Sequence, residues 1–148
     1  MKHYTLSKAE EGAIRRLVDE GTFSQKVRWG NNNRTHAING LAAEYAFCKM
    51  FNTPFDWQQT NKDEGDTIYK GEIVDVKQTS FKDGSLIVCP YKIDAPATVY
   101  ALVVGVPPGP FLFKGFARKE HIFTAQNIKT FGYGERFFLS QQSLNDEV

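Results

Sequence analysis

Residues 66–79 read Asp66-Thr67-Ile68-Tyr69-Lys70-Gly71-Glu72-Ile73-Val74-Asp75-Val76-Lys77-Gln78-Thr79. The period of two predicts strands over Asp66–Tyr69 and Glu72–Thr79, joined by a tight Lys70-Gly71 turn. On the second strand Ile73, Asp75, Lys77 and Thr79 share one face, and Val74 and Val76 share the other. The two valines mark the face that packs against a helix. Asp75 and Lys77 then stand side by side on the opposite face, near the strand's end. Asp66, on the neighbouring strand of the hairpin, can reach the same spot, whereas Glu72 has the wrong parity.

Upstream, a helix is expected from about Thr35 or His36 to Phe51, ended by Asn52-Thr53-Pro54. At 100° per residue Ala37, Gly40, Leu41, Phe47, Cys48 and Phe51 fall on one side, and Glu44 lies in the middle of that apolar stripe. Nearer the amino terminus, Ser7-Lys8-Ala9-Glu10 has the form of a capping box. It opens a helix carrying Ala13, Ile14, Leu17 and Val18 and closed by Gly21. Between the two helices, Thr22 to Thr35 holds Lys26, Arg28, Trp29 and Arg34 but no acidic residue, and reads as an exposed basic loop.

Downstream, Asp83-Gly84 signals a hairpin leading into Leu86-Ile87-Val88-Cys89. Thr98 to Val106 is nearly all apolar, as expected of a central strand covered on both faces. Pro107-Pro108-Gly109-Pro110 turns the chain into a strand from Phe111 to Ala117. A short helix from Arg118 to about Phe123 and a last strand from Arg136 to Ser140 complete the pattern. No repeat or linker interrupts it, so the expectation is an α/β fold in a single domain, 1–148, with a mixed central sheet flanked by helices. Residues 1–36 form a helical and basic-loop extension, and 37–140 form the core.

Of the 148 residues 41% are hydrophobic, and 12 are Phe, enough for a core and incompatible with intrinsic disorder. No apolar run approaches the roughly 20 residues of a membrane-spanning helix. The start, Met1-Lys2-His3-Tyr4-Thr5, has neither a signal-peptide nor a transit-peptide pattern. Cys48 and Cys89 sit far apart in apolar stretches and fit no zinc spacing, so reduced, packed thiols in a cytoplasmic, soluble protein are expected. Net charge is +1, from 18 basic and 17 acidic residues. Any binding to nucleic acid must therefore come from local patches.

A carboxylate inside an apolar helix stripe is costly to bury unless something compensates it. If the stripe packs on the sheet, Glu44 is delivered towards Asp66, Asp75 and Lys77. Carboxylates converging on one point repel by about 4 kcal/mol per close pair. A hard divalent cation removes that repulsion, and oxygen-only ligands select Mg²⁺, Mn²⁺ or Ca²⁺ over zinc. Crowding of this kind also predicts that, without metal, Asp75→Asn raises thermal stability.

Asp66, followed by Asp75-Val76-Lys77 and preceded by helical Glu44, resembles the PD-(D/E)XK nuclease superfamily. The likeness includes the order of elements (helix with Glu, strand with Asp, strand with Asp-x-Lys) and covers about Ala37 to Leu139, with Gly65 where Pro often stands. It implies a restriction-endonuclease-like core and hydrolysis of DNA phosphodiester bonds, by an endonuclease of phage or mobile-element type. It further implies that Asp66, Asp75 and the Val76 carbonyl bind Mg²⁺ or Mn²⁺, with Glu44 ligating directly or through water. Lys77 would position the attacking water and offset phosphate charge, and Thr79 would contact the phosphate. Cutting both strands with so small a chain implies a homodimer.

Set against this, Asp75 and Lys77 alone could be a surface salt bridge. A buried Glu44 and a neighbouring Asp66 turn the balance towards a catalytic site. Lys26, Arg28, Trp29 and Arg34 are either a solvated loop or a nucleic-acid contact, with Trp29 stacking on a base. A non-catalytic module that binds nucleic acid or protein on the same scaffold is the alternative function. A glycosidase-type acid pair is disfavoured by Lys77, which keeps both acids ionised.

Overall fold

The structure, a computed structural model, describes residues 2–22, 33–59 and 65–148. A short strand β1 (His3–Tyr4) leads to helix α1 (Lys8–Leu17), whose last turn continues as a π-helical turn, Val18–Thr22. The capping box forms as expected: Ser7 Oγ accepts from the Glu10 amide at 3.1 Å, and Glu10 Oε1 accepts from the Ser7 amide at 2.8 Å. Helix α2 (Asn33–Phe51) follows, and then strands β2 (Thr67–Tyr69) and β3 (Glu72–Thr79). Lys70 and Gly71 both take positive φ, 50° and 78°. That is the backbone of a primed two-residue turn, whose twist matches an antiparallel hairpin.

Strand β5 (Val99–Val104) is buried along its whole length between β3, to which it runs parallel, and the antiparallel β6 (Phe111–Arg118). The resulting mixed sheet has the order β1-β6-β5-β3-β2. Its two faces are covered differently. Val74, Val76, Val99, Ala101 and Val103 pack on α2 and α1 through Ile38, Leu41, Ala42 and Ile14. The expectation of helices on both sides fails on the other face. There Tyr100, Ala117 and Ile73 meet a second, three-stranded antiparallel sheet made by β4 (Leu86–Val88), β7 (Ile128–Phe131) and β8 (Gly134–Leu139), with the one-turn helix α3 (Lys119–Ile122). Leu6, Ile14 and Val18 lie in the same core cluster as α2, so the segment before residue 37 is itself part of the core.

The Asp83-Gly84 hairpin is a correction. Neither residue takes the positive φ that a primed turn needs, and β4 pairs with β8, Leu86 opposite Leu139. Gly84 is required for a close approach instead: a Cβ there would stand 2.5 Å from Thr79 Oγ1. The Gly84 amide donates to the Phe81 carbonyl, and Gln141 Nε2 donates to the carbonyls of Lys82 and Gly84. The chain thus leaves the large sheet and enters the small one. β1 and β7 were not anticipated either.

A polar cluster joins the amino terminus to α2. The Glu10 carboxylate accepts from the hydroxyls of Tyr4 and Tyr45. Tyr45 in turn packs its ring 5.3 Å from Phe55 and 5.4 Å from Trp57. Burial works against the Glu10 anion, but the Ser7 amide and the Tyr45 and Tyr4 hydroxyls outweigh it and hold its pKa at about 2. No helix among the described residues is long and apolar enough to cross a membrane.

Candidate active site

β2 begins at Thr67, and Asp66 lies just before it, where the hairpin runs out towards the end of β3. The Asp66 amide donates to the Val74 carbonyl at 2.8 Å, which prolongs the ladder by one bond. Its side chain bends along the edge, and Oδ2 accepts from the Val76 amide at 2.7 Å. Backbone N–H and C=O of one residue point to the same side of a strand. The Val76 carbonyl therefore also faces the β2 side, beyond the last backbone pair and beside Asp66.

Asp75 is buried, 6% exposed, and both its oxygens are engaged. Lys77 Nζ lies 3.1 Å from Oδ1 and Lys92 Nζ lies 3.2 Å from Oδ2. Lys92 comes from a single 3-10 turn, Pro90–Asp94, between β4 and β5. Burial disfavours its ammonium, yet the charge and hydrogen bond of Asp75 hold its pKa above the usual lysine value. Asp66 has the opposite balance. Burial and the neighbouring Asp75 charge push its carboxyl well above the ordinary carboxylate range, against the pull of the Val76 amide, Lys77 and Lys92.

Opposite Asp75 in register stands Tyr100. Its hydroxyl is buried and finds no hydrogen-bond partner among the described residues. Burial and the charges of Asp75 and Tyr91 push its pKa up.

Glu44 is half-buried on α2, one turn before Cys48. The end of this helix is stapled to the site: Cys48 Sγ and Thr67 Oγ1 both donate to the Pro54 carbonyl, at 3.5 and 2.9 Å. Burial pushes the Cys48 thiol up to about 11, and the carboxylates of Glu44 and Asp66 both add to the shift. Among the described residues no three His, Cys, Asp or Glu side chains gather into a ligand group. The converged acids are the pair Asp66 and Asp75.

Of the other expected contacts, Lys26, Arg28 and Trp29 lie outside the described residues. Arg34 is exposed and holds Asp19 through two bonds of 2.6 and 2.9 Å. The Thr79 hydroxyl accepts from the Phe81 amide at 3.2 Å and shapes the turn under Gly84. Glu72, excluded on parity, pairs with Arg118 at 2.9 Å. Two neighbours of the acids escaped the sequence reading. Tyr100 left a trace, a lone polar tip in an apolar strand. Lys92 left none, because nothing in Pro90-Tyr91-Lys92-Ile93-Asp94 has a period that aims a side chain. Compared with family models, curated proteins and solved structures, the chain matches none.

Proposed function

We propose that this protein is a divalent-metal-dependent nuclease that hydrolyses phosphodiester bonds of DNA, acting as an endonuclease. In this reading α2, β2, β3 and β5 form a restriction-endonuclease-like core in a cytoplasmic protein, and two copies act together where both strands are cut. The carrying observation is the pairing of half-buried Asp66 with buried Asp75 at the sheet edge, with Lys77 on the Asp75 carboxylate. Two adjacent acids, one of them pushed towards its neutral form by desolvation and by the other's charge, together with a carbonyl on the same side, make an oxygen-only donor set. Such a set fits Mg²⁺ or Mn²⁺.

Asp66, Asp75 and the Val76 carbonyl would hold the ion, with Glu44 reaching it directly or through water. When bound, such an ion lowers the pKa of a ligated water and offsets charge on the phosphoryl oxygens. Lys77, fixed by its strand, would orient the attacking water and counter the phosphate charge.

One observation favours a second reading, a non-catalytic nucleic-acid- or protein-binding module. Asp75 already has an ammonium on each oxygen, a balance that is complete without metal. Incubation with supercoiled, single-stranded and branched DNA in Mg²⁺ or Mn²⁺ separates the two. The nuclease reading expects cleavage that falls by about 10³-fold in Asp75→Ala and about 10²-fold in Lys77→Met. Undiminished cleavage by both variants refutes this site, while salt-sensitive binding without cleavage in either metal supports the module.

A further inference from the structure

Asp75 meets its two ammonium groups from supports of very different stiffness. Lys77 stands in the middle of β3, whose backbone is paired with β5 at Leu102. Its side chain shares a face with Asp75 two residues away. Lys92 rides on one 3-10 turn, Pro90–Asp94, in which no residue is buried. Its neighbours Tyr91 and Ile93 are 73% and 50% exposed. Besides the backbone bonds Lys92 N–H to Cys89 and Ala95 N–H to Lys92, its packing beside β8 and the Lys119 ammonium on the Ala95 carbonyl, this turn is tied to the large sheet by the Lys92–Asp75 ion pair.

A cation that takes Asp75 as a ligand needs one of its two oxygens. An ammonium left on the other oxygen repels a doubly charged ion a few ångströms away. One ammonium must give way, and the lysine on the short exposed turn is better placed to do so than the one on the paired strand. In its absence the pair Asp66 and Asp75 would keep only Lys77 as a compensating charge, a costly state.

We propose that Lys92 is the resident counter-ion of this site: its ammonium holds Oδ2 of Asp75 while the site is metal-free and yields that oxygen when a divalent cation binds. The inference rests on the metal-dependent reading above and adds to it a built-in competitor for the ion. Lys92 is thus a positioning residue, acting through Asp75, and its removal has opposite effects on the two forms of the protein.

The test is titration of the full chain with Mn²⁺ alone, by calorimetry, beside thermal unfolding in EDTA and in Mn²⁺. Lys92→Met, which keeps the stem and removes the charge, is expected to bind Mn²⁺ about tenfold more tightly than wild type. It should unfold at a lower temperature in EDTA and show a larger rise on adding Mn²⁺. Lys92→Arg, which keeps the charge, should bind no more tightly than wild type. A merely structural lysine would lower stability in EDTA but leave Mn²⁺ affinity unchanged, and that result, or weaker binding, overturns the proposal. Should Lys92→Met fail to fold, Lys92→Gln carries the same reading. If neither wild type nor Lys92→Met takes up Mn²⁺, the metal-dependent reading itself fails and this inference with it.

Discussion

Glu10 and Asp66 are both carboxylates partly withdrawn from water, and the protein treats them in opposite ways. Glu10 is surrounded by neutral donors, the Ser7 amide and the hydroxyls of Tyr4 and Tyr45. Its charge is welcome, and its pKa falls to about 2. Asp66 is half-buried beside a second acid, with one amide on it, and its pKa rises. A carboxylate placed for stability is surrounded by donors of its own. One left short of them and set beside a like charge is a place where the protein gives up stability, and such places are where function is sought.

This contrast can be broken by mutation. The largest expected effect on stability is from Glu10→Ala, which strips two phenol hydroxyls and the Ser7 amide of their acceptor. Loss of about 2–3 kcal/mol is expected, since hydrogen bonds to a charged group are involved, read as a lower urea midpoint. Asp66→Asn should do the reverse in EDTA and raise the unfolding temperature, because Asn keeps an acceptor for the Val76 amide and removes the charge that faces Asp75. The expectation from sequence assigned that gain to Asp75→Asn. The ion pairs to Lys77 and Lys92 transfer it to Asp66, since neutralising Asp75 would orphan two ammonium groups.

Acid titration sharpens the same comparison with a smaller signal. Glu10 has a folded pKa below its unfolded value of 4.5. The stability it contributes is present above that value and is lost as pH falls from about 4.5 towards 2. Asp66 has a folded pKa above its unfolded value of 3.8. In the metal-free protein its contribution is fully present below that value and is lost as pH rises towards neutrality. Urea midpoints measured against pH in EDTA should rise through the first window and decline through the second. Asp66→Asn should flatten the decline alone, and an unchanged decline would remove Asp66 from the account.

The smallest effect concerns Arg34, exposed and paired with Asp19. Arg34→Ala should leave the urea midpoint unmoved, as exposed ion pairs contribute little. If this residue touches a phosphate, the slope of log affinity for DNA against log salt should become shallower by about one. An unchanged slope would take Arg34 out of the nucleic-acid contact.

Much of the hairpin that holds Asp66, Asp75 and Lys77 was legible because it is local. A period of two and a Lys-Gly turn act within a single short stretch of chain, and parity alone decides that Asp75 and Lys77 share a face while Glu72 does not. The buried run at Val99–Val104 was legible for the same reason: a strand covered on both faces must be apolar throughout. Apart from the missed local hairpin of β7 and β8, the failures are long-range. Asp83-Gly84 is a good hairpin signal, but the strand after it pairs with β8, far along the chain, and its glycine answers to Thr79 across the turn.

The sequence by itself therefore determined which residues alternate, which helix stripe is apolar, and which acid and lysine stand on one strand face. Those properties come from backbone geometry over a few residues. Only the tertiary structure decided that a second sheet, joined by no helix longer than the one-turn α3, covers that face, that Lys92 reaches Asp75, and that Tyr100 stands opposite it with its hydroxyl unmet among the described residues. Each of these depends on chain segments far apart in sequence being brought together by packing, and no local period encodes that meeting.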